Sequence, residues 1–262
     1  MGKYYNAFIE NVYYCRELNL VYMKNPKVAC STINRSVWAT FDKKENVNTL
    51  KGNPHVRDNT AFQRNVSVIE SSPFVFTFFR NPFDRILSAY LDKIVEPRDP
   101  NVWLPFCKQN NLRENEKLSF FEFLKLIQKT SIYDLDPHFM PQTLTTGYFI
   151  LNFDFVGKFE SFNNDFHRLE DMLGFSLNMS KFDPHATGAN EKKMKYYDLE
   201  TIDIVKDVFK DDFFYLGYSK DINVSKSVKP TKMFGITKIE NNKSSSGDFG
   251  VSLKRTVRRL VW

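Results

Sequence analysis

The sequence predicts an α/β protein, with a central parallel sheet flanked by helices and the strand–loop–helix units of a P-loop-like core. Three observations predict it. Residues 74–79, FVFTFF, form an almost uninterrupted apolar run, as a central strand covered on both faces requires. Strand patterns are followed at once by helical stripes in two places, residues 20–41 and 74–94. Finally, 262 residues with 42% hydrophobic and 16% aromatic content can bury one substantial core.

The first strand falls at 18–23 (LNLVYM). After a short loop, Ile33, Val37 and Phe41 recur at i, i+4 and i+8, with Ser31 or Thr32 able to cap the helix. A polar, turn-rich interval (42–72) contains GNPHVRDNT. The second unit, SPFVFTFFRNPFDRILSAYLDKI, runs from the central strand through Asn81 as N-cap and Pro82 at the first helical position. Phe83, Ile86, Leu87, Tyr90, Leu91 and Ile94 then share one helical face. Further helices are expected at 119–129, 162–173 and 198–214, a strand at 147–160 ending near Gly157, and loops at 136–142 and 185–197. The domain is expected over 1–222. A polar linker and a basic amphipathic tail (223–262, ending VSLKRTVRRLVW) follow it.

The formal net charge of +6 belongs to that tail, where nine Lys/Arg face two acids. The other 222 residues hold 28 basic and 29 acidic groups, so the domain itself gives no reason to expect specific nucleic-acid binding. The abundant Phe is core material and not a base-stacking platform. Cys15, Cys30 and Cys107 include no CxxC pair, which argues against a disulfide framework or a zinc site and for a reducing compartment. No apolar run is long enough to span a membrane, and the first residues lack a signal-peptide layout. A cytoplasmic protein is therefore expected. Oligomeric state has no signature.

In open parallel sheets, ligands sit where strands end and helix N-termini expose free N–H groups. Both strand–loop–helix units put a cation there: Lys27 in NPKVACST and Arg80 in FFRNPF. An anion with two separated charged groups is the matching ligand. Lys27, the hydroxyls of Ser31 and Thr32 and the amides around Cys30–Ile33 suit one group, and Arg80, with Ser88 two turns into its helix, suits the other. The first loop has no glycine, and its lysine precedes the helix. A Walker A loop wrapping a triphosphate with magnesium is disfavoured. A single phosphate-like group lying across a helix N-terminus fits better.

The pair PKVACSTINRS and FFRNPFDRILSAYLDKI resembles the two cofactor motifs of the type 2 carbohydrate sulfotransferases, Pro-Lys-x-x-x-[Ser/Thr]-[Ser/Thr] and Arg-[Asp/Asn]-Pro-Phe-x-Arg followed by Ser-Ala-[Tyr/Phe]. DPHFMPQ, FDFVGKFESFNNDF and DDFFYLGYS are similar to later family segments, so the likeness covers roughly residues 20–218. The second motif is long and specific; the first alone is weak. The resemblance implies the fold of enzymes using 3′-phosphoadenosine-5′-phosphosulfate (PAPS), without a metal. It implies that Lys27, Ser31 and Thr32, with the Cys30 and Ile33 amides, contact the 5′-phosphosulfate, and that Arg80 and Ser88 hold the 3′-phosphate. Thr187, Lys192 and Lys193, beside His185, fall in a segment similar to one that closes over the cofactor.

Sulfuryl transfer to a hydroxyl needs a stabilised leaving phosphate and a base. His55 is the first candidate base, since uronosyl 2-O-sulfotransferases resemble this layout and carry their catalytic histidine in a similar loop. His138 in DPHFMPQ is the rival, and His167 falls inside a helix. The expected function is a PAPS-dependent sulfotransferase acting on a saccharide hydroxyl, of the soluble bacterial or viral type. A nucleotide or small-molecule kinase on a related fold, and a non-catalytic protein that binds acidic polymers through its basic tail, are the alternatives.

Overall fold

The computed structural model describes residues 8–41, 73–95, 98–178 and 189–232. Four strands form one sheet in the order β1 (Val12–Cys15), β2 (Leu20–Met23), β3 (Phe74–Phe79) and β4 (Phe155–Lys158). β2–β3 and β3–β4 are parallel, with Val21 opposite Val75 and Phe78 opposite Gly157. β1 pairs antiparallel with β2, Tyr13 opposite Tyr22. The expected α/β class with a parallel centre is found, carrying one antiparallel edge strand that the sequence reading did not contain. VYYC is too short to show a period, and its partner follows after a four-residue turn.

Alternation along the strands splits the core into two layers, as period-2 side chains must. Val21, Met23, Val75 and Phe79 face one cluster with α2 (Pro82–Lys93), α4 (Phe120–Lys129) and α8 (Leu199–Val208). Leu20, Tyr22, Phe76 and Phe78 face the other, with α1 (Cys30–Phe41) and α6 (Phe162–Leu173). Both faces are covered, so FVFTFF is apolar almost throughout. Gly157 permits the β3–β4 contact: a Cβ there would lie 2.2 Å from the Phe78 ring.

Several boundaries differ from the sequence reading. α3 (Pro100–Asn110) occupies a stretch to which the sequence reading assigned no element, although its signals are present: Asp99 caps Asn101 N, proline opens the helix, and Asn111 ends it in the left-handed region (φ 55°). α7 (Ala189–Tyr196) lies within another stretch read as loop, because its lysines show no apolar stripe. The helix expected at 198–214 breaks at Phe209 into α8 and α9 (Lys210–Tyr215). The strand expected from 147 begins only at Phe155, after turns around Gly147 (φ 65°). The short helix α5 (Gln142–Thr145) follows the DPHFMPQ loop.

Residues 223–232 continue along the domain. Val228 N donates to Gly217 O at 3.0 Å and Lys232 N to Tyr215 O at 2.9 Å. No described helix is long and apolar enough to cross a membrane.

Candidate active site

The parallel pairing of β2 with β3 brings the ends of two distant motifs side by side. β2 runs into the loop 24–29 and then α1, whose first helical bond is Ile33 N to Ala29 O at 3.0 Å. The Ile33 amide is thus committed to the helix. The residues just before it, Cys30 to Thr32, form the first turn of α1, where the backbone N–H groups point out of the helix end. Lys27 (φ 69°) and Ala29 (φ 51°) both sit in the left-handed region, a conformation that normally favours glycine. The loop takes this left-handed backbone with side-chain-bearing residues, at a cost of roughly 1–3 kcal/mol per strained residue.

Arg80 ends β3. Asn81 caps α2 by accepting from Phe83 N at 3.0 Å, and Pro82 stands at its first turn. The Arg80 side chain is nearly buried; Nη1 donates to the Lys27 carbonyl at 3.1 Å, and the guanidinium lies 4.3 Å from the centre of the Phe159 ring. Burial lowers its pKa, opposed by the charges of Asp84, Glu160 and Tyr218. Two buried polar atoms at these loops, Thr32 Oγ1 and Arg80 Nε, have no hydrogen-bond partner among the described residues. Orphaned buried groups of this kind cost about 1–3 kcal/mol each unless a ligand satisfies them.

Around this junction lies a set of polar groups that the sequence reading did not single out. Gln142 grips the Arg80 peptide from both sides: Oε1 accepts from Arg80 N at 2.9 Å and Nε2 donates to Arg80 O at 2.8 Å. The same Oε1 accepts from Asn25 Nδ2 at 2.9 Å. Asp212, fully buried, in turn accepts from the amides of Gln142 (2.8 Å) and Thr143 (2.9 Å). Glu160 accepts from Asn81 N at 2.6 Å and from the Tyr218 hydroxyl at 3.0 Å, and burial raises its pKa. Arg85 donates to the carbonyls of Pro26, Met140 and Pro137 at 2.9–3.0 Å, so the DPHFMPQ loop is moored to the residue preceding Lys27.

That mooring determines the setting of His138. Its Nδ1 lies 2.7 Å from Asp136 Oδ1, which also accepts from the His138 amide at 2.9 Å. A carboxylate only accepts, so Nδ1 carries the proton and Nε2 keeps its lone pair. Burial lowers the His138 pKa below its ordinary value, and Asp136 pulls in the opposite direction. Burial alone would raise Asp136, but the hydrogen bonds and charge of His138 hold it below the usual carboxylate range.

The other expected site residues are placed as follows. Lys27 Nζ contacts Asp92 Oδ2 at 3.1 Å; burial pulls its pKa down and Asp92 pulls it up. Cys30 and Ser31 are half-buried on the first turn of α1, and Ser88 is buried on α2. Lys193, on α7, is buried in an ion pair with Asp84 at 2.7 Å and donates to Ile222 O and Ser225 Oγ, both at 3.2 Å. Its charge is therefore balanced within the domain. Lys192 is exposed on the same helix. His55, His185 and Thr187 lie outside the described residues. Among the described residues, no group of three or more His, Cys, Asp or Glu is arranged to hold a metal ion.

A parallel-centred α/β sheet with two cationic loops at one edge, each leading into a helix N-terminus, is an anion-binding arrangement. A profile of the Sulfotransferase family matches residues 10–219, and the chain belongs to that family. It is also similar to carbohydrate sulfotransferase 11 of Mus musculus, 23% identical over 234 aligned residues covering 76% of this chain. The chain spans 64% of that relative's length. No solved structure matches.

Proposed function

We propose that the protein transfers a sulfuryl group from PAPS to a hydroxyl of a carbohydrate. The observation that carries this reading is the junction of the two motifs. Arg80 bonds the Lys27 backbone at 3.1 Å, and the buried Thr32 Oγ1 and Arg80 Nε, one from each motif, have no hydrogen-bond partner among the described residues. A donor with a phosphosulfate and a second phosphate matches that pair of cationic, under-satisfied loops. The name of the mouse relative supports a carbohydrate acceptor.

When bound, PAPS supplies a sulfuryl group attached to a phosphate leaving group. Lys27 and the first amides of α1 supply fixed positive charge for one anionic group; the planar fork of Arg80 supplies it for the other, with the Ser88 hydroxyl as a neutral donor beside it. His138 Nε2 takes the proton of the acceptor hydroxyl, and Asp136 fixes the ring and stabilises the imidazolium that forms. His55 is the alternative base from the sequence.

Adenosine 3′,5′-bisphosphate is expected to raise the melting temperature of the wild type and to do so much less for Arg80→Ala. A wild type that shows no shift overturns the reading. With His138 as base, the transfer rate rises with pH through a midpoint below the usual histidine value, because the neutral ring is the active form. Asp136→Asn moves that midpoint lower still. His138→Ala is expected to cost about 10²–10⁴-fold in rate. A His138→Ala enzyme with the wild-type rate and profile transfers the role to His55.

A further inference from the structure

We propose that Asp92, in the last turn of α2, is the positioning residue that fixes the Lys27 ammonium at the anion site. The inference rests on Lys27 being a contact of the donor, as set out above. Lys27 Nζ lies 3.1 Å from Asp92 Oδ2, and the same oxygen lies 2.9 Å from Lys93 Nζ. Lys93 also reaches Asp99 Oδ2 at 2.8 Å, and Asp99 caps α3 through its other oxygen. The result is an alternating chain, Lys27–Asp92–Lys93–Asp99, anchored on the end of one helix and the start of another.

Local helix electrostatics give no reason for an acid there. A carboxylate in the last turn of a helix opposes the helix dipole. What offsets that cost is the pair of lysines. Burial would raise the Asp92 pKa, yet Lys27 and Lys93 together hold it below the usual carboxylate range. Lys27, whose side chain is only 15% exposed, loses protonation stability through burial, and Asp92 restores part of it. Among the described residues, the charged and titratable groups acting on Lys27 are Asp92 and Lys93 from α2 and the Cys30 thiol from α1. Without Asp92, two ammonium groups would share the site without their common counter-charge. Lys27 would then have neither a fixed direction nor help in keeping its proton.

The test reads Lys27 directly in the ligand-free protein. Trace acetylation with acetic anhydride across a pH series, quantified on the Lys27 peptide by mass spectrometry, gives the midpoint at which the amine becomes reactive. Asp92→Asn is expected to lower that midpoint by about one pH unit, a roughly tenfold gain in labelling below it. Asp92→Glu keeps it near the wild-type value. Lys93→Met, which removes the competing cation, raises it and serves where Asp92→Asn fails to fold. In parallel, stabilisation by adenosine 3′,5′-bisphosphate falls in Asp92→Asn, more at about pH 9 than at about pH 7. A wild-type Lys27 midpoint in Asp92→Asn, or no rise in Lys93→Met, overturns the proposal, because a merely structural Asp92 would change melting temperature alone. Wild-type protein that ignores the bisphosphate refutes the donor reading instead and leaves the labelling result standing.

Discussion

Lys27→Ala is expected to lower the rate of sulfuryl transfer by about 10²–10³-fold while leaving the protein folded. The magnitude is that of removing one preorganised group aimed at charge that develops in the transition state, equivalent to about 2.7–4 kcal/mol. The fold tolerates the loss for identifiable reasons. Asp92 keeps Lys93 as a partner at 2.9 Å, so no carboxylate is orphaned. The bond from Arg80 to residue 27 is to its carbonyl, which alanine retains. Alanine also keeps a Cβ at φ 69°, so the backbone strain is unchanged and the comparison isolates the ammonium. Lys27→Gly would not, since it would relax that strain as well. Initial rates at saturating donor, set beside thermal denaturation, make the check. Wild-type turnover in Lys27→Ala would remove Lys27 from the chemistry.

The parts of this site that were legible in the sequence are those governed by local rules. RNPF at the end of an apolar run shows a strand terminus, an N-cap and an N1 proline within four residues, and the structure has all three. The lysine and the Ser-Thr pair of PKVACST were legible as a loop and helix start, and the absence of glycine signalled a departure from a triphosphate loop. The sequence could not show that Lys27 and Ala29 adopt left-handed conformations regardless, because that is imposed by tertiary bonds such as Arg80 to the Lys27 carbonyl. Asp92, Asp136 and Gln142 escaped, and Arg85 was legible only as a motif arginine, for a related reason. Each acts through a partner that the chain brings close only on folding, at separations of 65 residues for Lys27–Asp92 and 62 for Arg80–Gln142. Asp136–His138 is the exception, two residues apart, and an acid beside a candidate base was the signal available. α7 and β1 were missed because neither carries a period long enough to read.

Arg85→Lys and Arg85→Met are both expected to destabilise the protein by about 3–5 kcal/mol, a fall in melting temperature on the order of 10 °C. Arg85 stands one turn into α2, only 1% exposed, and its guanidinium bonds three backbone carbonyls from two loops: Pro26, Met140 and Pro137. Its pKa is pushed down to about 10, chiefly by burial, with Asp212 opposing and Arg80 adding to the depression. The cation is therefore held at a cost, and the charge alone does not explain its place. The geometry does. Three N–H groups in a rigid plane meet three carbonyls that would otherwise be buried without donors. Lysine keeps the charge, but its three donors radiate from one nitrogen and do not reproduce the spread of the three guanidinium nitrogens over both loops. Methionine relieves the desolvation of the ion but orphans all three carbonyls, each worth about 1–3 kcal/mol. Both variants also release the DPHFMPQ loop from Pro26, which separates His138 from the lysine loop. Donor-product binding and transfer rate are thus expected to fall even below the new melting temperature. A lysine variant that melts with the wild type would show that charge, and not the fork, holds the two halves of the site together.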